Sequence, residues 1–269
     1  MKVTEILSAS KRPFASFELV PPLKGSDISK LYNSIAPLME FAPPFLNITS
    51  HRDEIEYQSN PDGSFRRVTV TKRPGTVAIA AAIMKEFKVE VVPHVICGGQ
   101  TIEQVENILV DLNFLGIENI MALRGDAIPG EKYFSPTPGG HSHTDQLIRQ
   151  IERMNKGEYL DSSIKNAVPT SFCIGAAGYP EKHCEAPNLK EDIEHLKTKV
   201  EAGAGYIVTQ MFFNNQSYFN FVKECRDAGI RVPIIPGFNT ESDVEKSILT
   251  LQQMGIKDIE RFTYTIKEH

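Results

Sequence analysis

Several features that would assign this 269-residue sequence to a common class of protein are missing from it. Tryptophan is absent, so the protein's own fluorescence is weak and a bound chromophore would stand out. No apolar run approaches the ~20 residues of a membrane helix, and the first residues lack an apolar core of signal-peptide length. The net charge is −5 and no basic run exceeds Lys72 and Arg73, which argues against nucleic acid or a membrane as partner. We therefore predict a cytoplasmic protein.

The sequence also lacks the spacing of a metal site or a disulfide framework. Its four cysteines are scattered and form no C-x-x-C pair. The pair His141 and His143 has no third ligand at useful spacing, and neither has the pair His183 and Glu185. We therefore expect free thiols in a reducing compartment and no bound metal.

What the sequence does contain is a regular alternation of short apolar runs with longer amphipathic ones. Strand-like runs such as 14–20 are each followed by helical spacing, as in Ile28, Leu31 and Ile35. Apolar strands that alternate strictly with helices are typical of a parallel sheet, and eight such units favour a closed barrel. We predict one α/β domain over 1–269, a (β/α)8 TIM barrel with a shortened C-terminal end.

The predicted barrel lacks its last helix at the C-terminal end of the chain and has an additional segment at the N-terminal end. The last predicted helix opens at Thr240, the last apolar run spans 259–266, and no helix follows it. The N-terminal segment 4–10 could cover part of the face that the missing helix leaves exposed.

Glu18 is an unusual residue for its position, because it lies in the apolar segment "ASFELVPP" at 15–22. A buried, unpaired carboxylate is costly or takes up a proton. One explanation is an ion pair with a buried Arg or Lys. The other is a general acid whose pKa is raised by its apolar neighbours. Placement at the rim of a barrel favours the second.

The active site of such a barrel lies where strands end and loops begin. Polar residues follow six predicted strands there: Glu18; Thr49, Ser50 and His51; His94; Arg124 and Asp126; Tyr179; and Gln210. No G-x-G-x-x-G or P-loop is present, so a nucleotide cofactor would lie across the barrel mouth. Taken singly, His94 fits an ordinary structural role, Arg124 and Asp126 a rim ion pair, and Lys199 a solvated helix face.

Together the motifs resemble one family. They are "SFELVPP", "PHVICGG", "ALRGDA", "AAGYPEKHCEAPNL", "KVEAGAGYIVTQMFF" and "VPIIPG", in this order at successive strand ends between about residues 11 and 237. The sequence resembles the methylenetetrahydrofolate reductase family in its short bacterial form without a regulatory domain. The resemblance implies a homo-oligomeric (β/α)8 flavoprotein of one-carbon metabolism and methionine biosynthesis. Such an enzyme passes hydride from NADH or NADPH through FAD to 5,10-methylenetetrahydrofolate, with ping-pong kinetics on one flavin face.

The resemblance also implies roles for individual residues. Glu18 matches the general acid that protonates the folate N10, and Asp126 matches the carboxylate that stabilises the resulting cation. Gln210 matches a folate-binding residue, and Thr49 one near the flavin ring and the nicotinamide. The implied FAD contacts are Thr49, Ser50, His94, Arg124, Gly125, Asp126, Tyr179, His183, Asp192 and Lys199.

Two alternatives stay open on the sequence alone. After Gly237 the chain is shorter than is usual in the family, which leaves room for a flavin-binding barrel that does not turn over folate. A related flavin barrel acting on another imine, such as a proline dehydrogenase relative, is the other alternative.

Overall fold

A computed structural model describes residues 1–128, 131–212 and 214–237, and a parallel sheet lies at its centre. Its strands are β1 (Phe17–Leu19), β2 (Phe45–Ile48), β3 (Glu54–Ser59), β4 (Phe65–Val70), β5 (Glu90–Ile96), β6 (Asn119–Leu123), β7 (Cys173–Gly178), β8 (Tyr206–Thr209) and β9 (Ile234–Ile235). Seven of them pair in parallel in the order β1-β2-β5-β6-β7-β8-β9. The result is a curled half-barrel. The predicted last helix and last strand lie outside the described residues, so closure into a (β/α)8 barrel stays a prediction.

Helices follow the strands of the parallel sheet as the alternation predicts, and one further helix precedes the first strand. They are α1 (Val3–Ala9), α2 (Ile28–Ile35), α3 (Thr76–Phe87), α4 (Ile102–Phe114), α5 (Thr144–Met154), α6 (Leu189–Ala202) and α7 (Asn215–Asp227). A 3₁₀ helix (Ala36–Phe41) continues α2, with Pro37 in its first turn. Helix α4 begins with a capping box, in which Thr101 Oγ1 accepts from Gln104 N at 3.3 Å and Gln104 Oε1 accepts from Thr101 N at 2.9 Å. No helix in the described part of the chain is long and apolar enough to cross a membrane.

The curled sheet has an outer and an inner face, and alternation along each strand decides which residues face inward. Phe17, Leu19 and Leu46 belong to the core between the sheet and the helices. Phe45 and Tyr206 belong to a second cluster inside the curl, which they share with residues of β5, β6 and β7. Side chains that lie between outward-facing neighbours therefore project toward the axis of the half-barrel.

The N-terminal helix α1 closes the bottom of the half-barrel, so the expectation that it covers an open side was wrong. Val3 and Ile6 pack into the inner cluster. Val3 N donates to Asn119 Oδ1 at 2.8 Å, and Asn119 Nδ2 donates to Met1 O at 2.9 Å. The Met1 amino group pairs with Glu90 at 2.6 Å. Asn119 and Glu90 are the first residues of β6 and β5, so α1 lies across the N-terminal ends of the strands.

A β-hairpin occupies the stretch between β2 and α3, and the predicted alternation of strands and helices does not include it. Strands β3 and β4 pair antiparallel from Glu54↔Val70 to Ser59↔Phe65. The connecting turn has Gly63 at φ 82°, and Asp62 Oδ1 accepts from Ser64 N at 2.9 Å. The four residues "NPDG" at 60–63 between alternating runs are a recognised hairpin signal that would have predicted it.

Candidate active site

Because the strands are parallel, the residues that follow them meet at one edge of the sheet. The structure brings the predicted rim residues toward this C-terminal end. Glu18 and His94 lie within β1 and β5, and the residues that follow strands are Thr49, Ser50, Arg124, Gly125, Asp126, Tyr179 and Gln210. His183, Asp192 and Lys199 join them from the loop after β7 and from α6. The site has two parts, one on β1, β2 and β5 and one on β6, β7 and α6.

Glu18 is the acid of the first part. It is the middle residue of β1, between Phe17 and Leu19, which both face outward. Its carboxyl therefore projects into the half-barrel, where it is half-buried. Burial raises the pKa of Glu18 above its ordinary value, and no charged neighbour contributes to that direction. Of the two explanations that the sequence left open, the ion pair with Arg or Lys is therefore not the one found among the described residues.

Two buried polar atoms beside Glu18 have no hydrogen-bond partner within the described ranges. They are Asn47 Oδ1 on β2 and His94 Nε2 on β5. Burial lowers the pKa of His94 to about 4, and His51 adds to that effect, so its imidazole is neutral. His94 was predicted, whereas Asn47 was not. The available signal was an amide in the apolar run "PFLNI" at 44–48, which raises the same question as Glu18.

Thr49 and Ser50 follow β2 directly. The Thr49 side chain is engaged with β1, because Thr49 Oγ1 donates to Leu19 O at 3.2 Å and Thr49 N donates to the same carbonyl at 2.9 Å. This contact holds the ends of β1 and β2 together beside Glu18. Ser50 is half-buried at the same edge.

Arg124 begins the second part, at the end of β6. Its Nη1 donates to Glu185 Oε2 at 2.7 Å, and its guanidinium lies over the Phe134 ring at 4.9 Å from the centroid. The Arg124 hydrogen bond lowers the pKa of Glu185. A planar guanidinium held on two sides is pre-organised to donate paired hydrogen bonds to two oxygens of an anion such as phosphate or carboxylate.

Gly125 and Asp126 continue the chain past Arg124. Gly125 has φ 86°, a conformation that side-chain-bearing residues rarely adopt, so the backbone here is open to close approach. The Asp126 carboxylate is exposed. It raises the pKa of His51, although burial and Arg73 dominate and lower it. Burial, Asp192 and Asp126 together raise the pKa of Tyr179 to about 12. Asp126 therefore acts electrostatically on both parts of the site.

The remaining predicted contacts form one cluster around Tyr179. The Tyr179 and His183 rings meet edge to face at 4.7 Å, and Lys199 Nζ lies 5.7 Å from the Tyr179 centroid. Lys199 Nζ donates to Ala177 O at 3.0 Å, and Asp192 Oδ2 accepts from His183 N at 2.8 Å. Burial lowers the pKa of Lys199, and Asp192 opposes that shift. The cluster therefore holds a desolvated ammonium group that an arriving anion would stabilise.

Gln210 stands apart from these contacts. It follows β8, and its backbone N donates to Gly178 O at 2.8 Å. Its side chain is exposed, and Gln210 Oε1 accepts from Met211 N at 3.1 Å. The amide is therefore at the correct edge of the sheet, but it is folded back onto its own loop.

The arrangement combines groups suited to two tasks. Arg124 and Lys199 can hold an extended anion along β6, β7 and α6. Glu18 can keep a proton in an apolar setting and deliver it to a basic atom. Among the described residues, no group of three or more His, Cys, Asp or Glu side chains is placed to hold a metal ion.

The chain is also similar in sequence to known proteins. The chain is 32% identical over 244 residues to methylenetetrahydrofolate reductase 2 of Saccharomyces cerevisiae, covering 88% of this chain and 36% of the yeast protein. It is 32% identical over 232 residues to 5,10-methylenetetrahydrofolate reductase of Escherichia coli, covering 86% of this chain and 66% of that protein. The chain thus spans about a third of the length of the first curated relatives it matches.

The likeness among solved structures concerns the fold alone. Oxaloacetate acetylhydrolase in complex with 3,3-difluorooxalacetate superposes with a TM-score of 0.58 at 13% identity, over 98% of this chain and 78% of that one. The sequence match is the more specific finding, since the profile of the family "Methylenetetrahydrofolate reductase" covers residues 2–255. The chain therefore belongs to the methylenetetrahydrofolate reductase family.

Proposed function

We propose that this chain catalyses the FAD-dependent reduction of 5,10-methylenetetrahydrofolate to 5-methyltetrahydrofolate, with NADH or NADPH as the reductant. The observation that carries the proposal is Glu18, a carboxyl group with a raised pKa inside the curl, at the same edge as an anion-binding cluster. Membership of the reductase family supplies the substrate class.

The residues present fit FAD. A dinucleotide carries a diphosphate and a planar ring, and the site offers Arg124 and Lys199 for the first. Gly125 lets the backbone approach closely, and the orphaned His94 Nε2 offers a polar contact inside the curl. FAD, when bound, supplies the two-electron chemistry that links oxidation of the nicotinamide to reduction of the folate.

The chain's own residues then handle the proton and the charge. Burial raises the pKa of Glu18 and so favours its protonated form, which donates its proton to N10 of the folate as the five-membered ring opens. Asp126 provides a negative charge to stabilise the cation that forms on the substrate. Thr49 and Ser50 would help to hold the cofactor at the end of β2, and Gln210 would bind the folate once its side chain leaves Met211 N.

The proposal includes the wider expectations of the family resemblance. Both substrates use the same edge of the sheet in turn, so the kinetics are ping-pong. The protein acts as a cytoplasmic homo-oligomer in one-carbon metabolism, with residues 1–269 as one domain.

An absorption spectrum of the purified protein provides the test. We expect a flavin spectrum that NADH or NADPH bleaches without oxygen, and that 5,10-methylenetetrahydrofolate then restores. A protein that binds no flavin even after reconstitution would contradict the proposal. Bleaching without recovery would identify a flavin-binding barrel that is not a reductase, and recovery only with pyrroline-type substrates would identify a proline dehydrogenase relative.

A further inference from the structure

The Asn47 side chain is a buried polar group that the proposed reaction does not yet use. Only 7% of the residue is exposed. Its Oδ1 atom is fully buried and has no hydrogen-bond partner in the described part of the chain. Buried amide oxygens are nearly always paired, so an orphaned one calls for a partner that is present in another protonation or ligand state.

The register of the sheet identifies that partner. Glu18 on β1 is the direct Cα partner of Asn47 on β2. Phe45, two residues before Asn47, belongs to the inner cluster, so the Asn47 side chain faces the same way as that of Glu18. Neighbouring strands lie about 4.8 Å apart, which brings the two side chains within reach of a hydrogen bond.

We propose that Asn47 is a positioning residue whose Oδ1 accepts the hydrogen bond of the protonated Glu18 carboxyl group. A neutral carboxyl has one O–H donor and needs one acceptor, which Asn47 supplies without adding charge. When Glu18 is ionised, the amide oxygen instead faces a carboxylate, so the pair favours the protonated form. The catalytic meaning of this contact, that Glu18 keeps its proton until folate arrives, rests on the proposed function.

The other titratable and charged groups at this end of the sheet come from each neighbouring element. They include His51, Arg52 and Arg73 at the base of the hairpin, His94 on β5, Arg124 and Asp126 after β6, Tyr179 after β7 and Lys199 on α6. Burial is the cause of the raised Glu18 pKa, and none of these charged groups contributes to that shift. His94 is the alternative hydrogen-bond partner for Asn47 Oδ1, because His94 Nε2 also lacks a partner among the described residues.

The experiment is a pH titration of the full chain as purified, with ¹³C-labelled glutamate side chains followed by NMR. Glu18→Gln assigns the Glu18 carboxyl resonance by its disappearance. Asn47→Leu keeps the approximate shape of the side chain and removes the acceptor, whereas Asn47→Asp adds a negative charge at the same place. Ile48→Val, on the same strand and facing outward, is the matched control.

We expect Asn47→Leu to lower the Glu18 pKa by about half to one pH unit, the size of one lost hydrogen bond. Leucine is more apolar than asparagine, and its burial effect alone would raise the pKa, so a fall is diagnostic. Asn47→Asp should raise the pKa through like-charge coupling, and Ile48→Val should leave it unchanged.

Three results would overturn the inference. An unchanged or raised pKa in Asn47→Leu would mean that Oδ1 does not hold the proton. An unchanged pKa in Asn47→Asp would place the two side chains apart. A shift confined to the His94 imidazole resonances would assign Asn47 to His94 instead. The titration uses no folate and no nicotinamide, so its failure leaves the proposed reaction untouched, and failure of the reductase assay leaves the titration valid.

Discussion

At the scale of single residues, the half-buried Glu18 carboxyl lowers the free energy of unfolding when it is ionised, and its proposed role in the reaction explains why such a residue is present. Its pKa in the folded chain lies above the ordinary value of 4.5. Below that value the folded and unfolded chains both carry a protonated Glu18, and the residue costs no stability. As pH rises through the folded pKa, the native state must bury a carboxylate, and stability is lost.

Glu18→Gln should therefore stabilise the protein at neutral pH, because the amide mimics the protonated acid. We expect its gain in free energy of unfolding over the wild type to vanish below about pH 4.5 and to grow as pH rises. Urea unfolding at several pH values measures this. Glu40→Gln, at an exposed position, is the control and should show no such trend. A gain that is constant with pH would mean that Glu18 is not the titrating group.

The same variant separates the two halves of the proposed reaction. Glu18→Gln removes the proposed proton donor but leaves intact Arg124 and Lys199, the residues proposed to bind the cofactor's phosphates. NADH should therefore bleach the flavin at nearly the wild-type rate, while reoxidation by the folate should slow by roughly 10²–10⁴-fold. Stopped-flow absorbance resolves both phases. Equal damage to both phases would argue against a role specific to N10.

At this scale, the sequence identifies a candidate site residue where a polar side chain lies in an otherwise apolar strand. Glu18 was identified because a carboxylate in an apolar strand demands an explanation. Asn47 demands one too, but its orphaned Oδ1 becomes visible only when the register of β1 and β2 is known. The ion pair of Arg124 with Glu185 joins residues 61 positions apart, and no local pattern predicts it.

At the scale of elements, the hairpin of β3 and β4 should be the weakest part of the described fold. A two-stranded hairpin is marginal alone, and both strands here are largely exposed, with Tyr57 and Phe65 about two-thirds in solvent. Its base is joined to the loop after β1 by Lys24 N, which donates to Lys72 O at 2.8 Å. The ion pairs of Lys72 with Glu54 and Glu56 link the two arms of the hairpin to each other.

We expect the hairpin to open independently of the sheet. Its backbone amides should exchange with solvent orders of magnitude faster than those of β5, which is buried on both faces. Hydrogen exchange followed by mass spectrometry compares the two peptides in one experiment. Equal protection would mean that the hairpin unfolds only with the whole sheet.

The hairpin and α1 show why some elements escaped prediction. Strands β3 and β4 have no continuous apolar face, so hydrophobic periodicity does not predict them. Only the turn residues at 60–63 indicate a hairpin here. The N-terminal segment 4–10 was expected to cover an exposed face, but the position of helix α1 depends on contacts with Asn119 and Glu90, about 90 to 118 residues away. Such long-range contacts leave no local signal.

At the scale of the whole molecule, the alternation of strands and helices was sufficient to predict a parallel sheet in chain order. Buried parallel strands are apolar on both faces, and that property is local and easily recognised. The same order brings the predicted site residues toward one end of the sheet, so their proximity follows from the predicted fold, whereas their roles stay predictions. Closure by an eighth strand concerns residues outside the described ranges and is still a prediction.

The last prediction concerns how the whole fold responds to its proposed cofactor. A ligand at a hundred times its Kd stabilises the native state by about 2.7 kcal/mol, or roughly 5–10 °C in Tm for a chain of this size. Lys199 is desolvated, and a diphosphate would offset that desolvation through a charge-assisted contact. Lys199→Ala should therefore weaken FAD binding about tenfold or more.

At the same FAD concentration, the FAD-induced rise in Tm should then fall to about half in Lys199→Ala, because a tenfold weaker Kd halves the linkage energy. Lys197→Ala, two residues earlier on α6, is the matched control and should keep the full rise. Each variant is compared with itself with and without FAD, because Lys199→Ala also loses the hydrogen bond to Ala177 O. An undiminished rise in Lys199→Ala would show that the buried ammonium group does not face the cofactor.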